Sequence, residues 1–115
     1  VERYHEGGGA MSALVVLCTV GKTEDAEFLA REIVDRRLAA CVNLLPTLTS
    51  IYRYKGEVER SAEALLVIKT TEARFPALRE AIVALHSYEL PELIALPVTD
   101  GHAPYLAWLA ESVGD

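Results

Sequence analysis

Three side chains in this 115-residue sequence have the chemistry to hold a late transition metal: the soft sulfur of Cys18, the imidazole of His86 and the carboxylate of Glu92. They are far apart in the chain, so each also has a simpler reading. Cys18 can be a small buried hydrophobe, His86 a cap on a helix C-terminus, and Glu92 an acceptor for backbone N–H groups where a strand begins. Cys18 and Cys41 both lie in apolar segments without C-x-x-C spacing, which points to reduced thiols rather than a disulfide framework or a zinc knuckle.

Other chemistries find less support. Gly21-Lys22-Thr23 stands between a strand and a helix like the end of a phosphate-binding loop, but the glycine required five positions earlier is Val16. Thr23 therefore reads as a helix cap. No Gly-x-Ser-x-Gly elbow surrounds Ser50, Ser61 or Ser87. Glu57, Glu59 and Glu63 gather around a hairpin and read as solvated charges, since nothing local separates their pKa values into an acid and a base. Without a nucleophile, base or cofactor fingerprint, an enzyme is not expected.

The elements that must position these residues follow from the apolar pattern. Ala13 to Val20 is a continuous apolar run of strand length. Ala26, Leu29, Ala30, Ile33 and Leu38 then recur at helical spacing, with Glu24 and Asp25 against the positive end of the helix dipole, and the helix is expected to reach Arg37. Cys41 to Leu45 and Ser50 to Lys55 form one long strand bent at Pro46. Lys55-Gly56-Glu57 turns the chain into a third strand over Glu63 to Thr70. Phe75, Leu78, Ile82 and Leu85 mark a second helix ending near His86, Leu93 to Thr99 a fourth strand, and Pro104 opens a short final helix. The domain is read as residues 13–115, preceded by a Gly7-Gly8-Gly9 leader over residues 1–12.

This order is the α+β, ferredoxin-like βαββαβ arrangement, an antiparallel sheet with its main helices on one face. The other face is left uncovered. The first, third and fourth strands nevertheless carry apolar residues at consecutive positions, so both their sides call for shielding, and a homo-oligomer is expected. The net charge of −6 opposes nucleic-acid binding. No run approaches the roughly 20 apolar residues of a membrane helix. A cytoplasmic protein is expected.

Several blocks together resemble one family. Arg37-Leu38-Ala39-Ala40-Cys41-Val42-Asn43, Ser50-Ile51-Tyr52-Arg53-Tyr54-Lys55-Gly56, Leu66-Val67-Ile68-Lys69-Thr70-Thr71, His86-Ser87-Tyr88-Glu89-Leu90-Pro91-Glu92 and Tyr105-Leu106-Ala107-Trp108-Leu109 are similar, in this order, to the CutA family of divalent-cation tolerance proteins. The resemblance covers Ala13 to Val113. It implies a tightly packed PII-like homotrimer linked to copper and other divalent cations, with Cys18, His86 and Glu92 as metal-associated positions. It also implies a cleft between subunits lined by Tyr52, Tyr54, Lys69, Tyr88 and Glu92. Three departures stand out: Leu85 where some members place another histidine, His86-Ser87-Tyr88 where His-Pro-Tyr is usual, and Tyr54 where Trp is common. Three functions compete on this basis: a copper or divalent-cation binding trimer, a PII-like sensor taking a small anionic ligand through Lys69, and a scaffold for other proteins.

Overall fold

The computed structural model describes residues 12–114, so most of the expected leader lies outside the described residues; Ser12 is already buried, its carbonyl accepting from Glu72 N–H. The chain runs β1 (Ala13–Val20), α1 (Thr23–Asp35), β2 (Cys41–Tyr54), β3 (Glu57–Thr71), α2 (Phe75–Leu85), β4 (Ile94–Pro97) and α3 (Ala103–Val113). Its four strands form one sheet in the order β2-β3-β1-β4, every neighbouring pair antiparallel. This is the ferredoxin-like order expected from the sequence.

Even-numbered residues of β1 and β3 point to the helices. Leu14, Val16, Cys18 and Val20 pack with Leu66 and Ile68 against Ala26, Leu29 and Ile33 of α1 and Leu78 and Ile82 of α2. Ile33, Leu66, Ile68, Leu78 and Ile82 are wholly enclosed, and burial of such side chains contributes about 1.5–3 kcal/mol each. Odd-numbered residues face the other way. Register sets Leu17 beside Val67 and Ile94, Val15 beside Lys69 and Leu96, and Leu45 beside Leu65. On that second face Leu45, Ile94 and Leu96 remain 45%, 50% and 46% exposed.

The second face is not bare along its whole length, as the sequence suggests. Leu106 and Leu109 of α3 pack on Ala13, with Ala40 and Val98 around them, roofing the end of the sheet near Thr71. Arg74 Nε donates to the Val113 carbonyl at 2.6 Å and fastens the end of this helix.

Three boundaries and one cap differ from the sequence reading. Helix α1 ends at Asp35 because Arg37 takes a left-handed backbone, φ 60°, from which a helix cannot continue. Thr23 does not cap that helix: its hydroxyl donates instead to the Pro46 carbonyl at 3.1 Å, across the bulge between Leu45 and Leu48. Strand β3 begins at Glu57, not Glu63, because Lys55 (φ 51°) and Gly56 (φ 83°) make a two-residue turn of the left-handed kind that suits strand twist. Strand β4 is confined to four residues. The resulting β2–β3 ribbon projects past the helices and gives the subunit its 50 Å long dimension, leaving Ile51 70% and Val58 66% exposed.

Candidate functional site

The loop after α2 is fixed to the end of β1 by a chain of hydrogen bonds. His86 N–H caps α2 on the Ile82 carbonyl at 2.8 Å. Its ring then bridges two backbones: Tyr88 N–H donates to Nδ1 at 3.0 Å, which leaves the proton on Nε2, and Nε2 donates to the Thr19 carbonyl at 2.8 Å. Both imidazole nitrogens are thus engaged.

This loop delivers Tyr88 to β3. The phenol donates to Glu63 Oε2 at 2.7 Å, and burial followed by the Glu63 carboxylate raises its pKa well above the ordinary tyrosine value. The approach depends on Gly21, where a Cβ would lie 3.1 Å from the phenol oxygen. Glu63 is only 7% exposed. It is not the solvated hairpin charge that its sequence neighbours Glu57 and Glu59 suggest. Two residues away on the same face, Ser61 Oγ lies 2.6 Å from Tyr52 Oη.

Cys18 lies beneath this cluster, on the helix side of the sheet and wholly buried. Burial first, then the nearby Glu92 and Glu63 charges, push its thiol pKa from 9.0 up to about 12. The enclosed sulfur packs as an atom of the helix-covered core. Glu92 is exposed just before β4. No three His, Cys, Asp or Glu side chains among the described residues are grouped to hold a metal ion. Cys18, His86 and Glu92 are not grouped in this way within one subunit.

Apart from Glu92, the expected cleft residues divide into three places. Tyr88 bonds Glu63, and Tyr52 bonds Ser61 two residues away, near enough to add to the rise in the Tyr88 pKa. Tyr54 stands at the ribbon tip, with Lys55 Nζ 5.3 Å from its ring centroid. Lys69 is about 20 Å further along β3 than Glu63, at ~3.3 Å per residue. There it donates to Asn43 Oδ1 and sits opposite Cys41 and Val15. A groove of about 490 Å³ between α1 and α3, lined by Asp35, Arg37, Trp108 and Glu111 among others, contains none of these residues.

With this geometry in view, comparison with known proteins is decisive. The family model described as CutA1 divalent ion tolerance protein matches residues 14–112. The chain belongs to the CutA1 family. It is 52% identical over 100 residues to the divalent-cation tolerance protein CutA of Thermus thermophilus, covering 87% of this chain and 97% of that protein. The solved Thermus thermophilus structure superposes with a TM-score of 0.87 at 51% identity, over 89% of this chain and 99% of the other. Human protein CutA is 47% identical over 93% of this chain, which spans 60% of the human protein. A structure from Archaeoglobus fulgidus, described as a periplasmic divalent cation tolerance protein CutA, has a TM-score of 0.86 at 30% identity, covering 89% of this chain and 99% of that one. Among the described residues no helix is long and apolar enough to cross a membrane.

Proposed function

We propose that this CutA1-family protein works in divalent-cation tolerance as a homotrimer that binds copper or another divalent cation, without catalysing a reaction. The second sheet face carries this reading. Leu17, Leu45, Leu65, Val67, Ile94 and Leu96 form a contiguous, half-exposed apolar surface that self-association would dry. Threefold stoichiometry comes from the resemblance to PII-like assemblies. The ribbon supports it, because an isolated two-stranded hairpin is marginally stable in water and gains from lying on a neighbour.

The cation is assigned to the space between subunits. Exposed Glu92 is its carboxylate donor, His86 joins by giving up its bond to Thr19, and Cys18 remains structural. The reading places the protein in the cytoplasm, where Cys18 and Cys41 stay as free thiols. Calorimetric titration of Cu(II) into wild type, Glu92→Gln, His86→Ala and Cys18→Ser tests it, with multi-angle light scattering for the subunit count. Affinity is expected to fall roughly ten-fold or more in the first two variants and to hold in the third. Undiminished affinity in Glu92→Gln and His86→Ala, or a monomer at micromolar concentration, overturns the reading.

Lys69 favours a second reading, a sensor for a small anion. It is half-buried on the apolar face, and among the described residues no carboxylate pairs with it. Thermal-shift screening of nucleotides and organic acids against wild type and Lys69→Met separates the two.

A further inference from the structure

Glu63 is a carboxylate in an expensive place. It is 93% buried, and among the described residues its only hydrogen bond is the one from Tyr88 to Oε2. The ion pairs among the described residues, Arg31–Glu27 on α1 and Arg36–Glu32 at its C-terminal end, do not involve it. Yet Oε1 keeps some contact with solvent, since among the described residues no fully enclosed side-chain oxygen lacks a partner. Desolvating a carboxylate without a counter-charge costs several kcal/mol, and a purely structural position would be better filled by an apolar residue.

The surroundings are built to hold this group in place. Gly21 admits Tyr88, and the His86 bridge between Thr19 and Tyr88 N–H fixes the loop that carries it. Tyr52 adds a second phenol through its bond to Ser61, two residues from Glu63 on the same face. We propose that Glu63, Tyr88 and Tyr52 form a subsite for an organic cation, an alkylammonium or guanidinium group. Its N–H donors pair with Glu63 Oε1 and its apolar flank rests on the tyrosine rings. A metal ion fits less well, because it needs donors from at least three groups and such a grouping is absent among the described residues. The cation has two sources with the same chemistry: a small molecule, or a Lys or Arg of a second copy of this chain.

Methylguanidinium and propylammonium are the probes, titrated at constant ionic strength into the full chain and into Glu63→Gln and Tyr52→Phe. Thermal shift, saturation-transfer NMR from probe to tyrosine ring protons, and light scattering are the readouts. Saturable binding to wild type is expected, with transfer to the tyrosine rings and affinity reduced roughly ten-fold or more by Glu63→Gln. Absence of probe binding, together with dissociation of the Glu63→Gln assembly, identifies the neighbour's side chain as the cation and equally supports the subsite. Should Glu63→Gln fail to fold, wild-type saturation transfer and Tyr52→Phe, expected to weaken binding less, carry the test. The inference is overturned if neither probe binding nor assembly responds to Glu63→Gln, or if only a divalent metal ion binds through Glu63. Copper titration of the Glu92 and His86 variants is a separate readout, so either proposal can fail alone.

Discussion

Val67 and Ile68 are adjacent on the same strand and chemically alike, yet they meet different surroundings. Ile68 is wholly enclosed under α1 and α2; Val67 is half-buried on a face roofed only at one end by α3. The two cysteines divide the same way: Cys18 lies in the helix-covered core and Cys41 opposite Lys69 on the other face. Where one strand supplies two apolar surfaces and the subunit covers one, the second is available for association. Which face a residue belongs to, more than its type, sets what a substitution there does.

The contrast can be broken most severely at the covered face. Ile68→Ala should destabilise the subunit by about 3 kcal/mol through lost burial and a residual cavity, read by urea denaturation. Val67→Glu should leave subunit secondary structure intact by circular dichroism but convert the assembly to monomers on a sizing column with light scattering. If Val67→Glu unfolds the chain and Ile68→Ala dissociates it, the assignment of faces is wrong.

The thiols sharpen the comparison. Because the folded Cys18 pKa is raised from 9.0 to about 12, the unfolded chain releases this proton first. Stability from the protonated thiol is therefore full below pH 9.0 and declines as pH rises towards about 12. Tyr88, also shifted upward, adds to the same alkaline loss. Cys18→Ala should remove part of that slope in denaturation curves taken across the window. Under native conditions a thiol reagent should label Cys41 in the Val67→Glu monomer and leave Cys18 unmodified. The smallest effect concerns the turn that sets the two faces apart: Lys55→Asn, a residue that accepts a left-handed backbone more readily, should stabilise by about 0.5 kcal/mol in thermal melts.

The fold was largely legible because its signals are local. The apolar run of Ala13 to Val20, the helical spacing of Ala26, Leu29 and Ile33, the break at Pro46 and the turn at Gly56 each report on their own segment. The second apolar face was legible too, from consecutive rather than alternating apolar residues. The outer half of β3 was missed, since Glu57 to Ala62 has no apolar stripe and is held by its partner strand. Glu63 was misread for a related reason. Its burial comes from Tyr88, which lies far along the chain and reaches it only through the His86 bridge and the gap left by Gly21. Its position at the edge of the apolar run beginning at Ala64 was the one available hint. Thr23 had two acceptable partners, its own helix and a distant carbonyl, and no local pattern distinguishes them.

The Lys55–Gly56 turn also acts as the zero mark from which residues along the ribbon are counted. Slipping the pairing by a single position there would exchange odd for even, thrust Glu63 and Lys69 among the helix-packed side chains and turn Leu66 and Ile68 outward. Two left-handed residues thus guard against a misfolded twin of the same topology, and mutations that disfavour the left-handed backbone here should appear as wrongly faced, aggregation-prone chains before they appear as weaker ones.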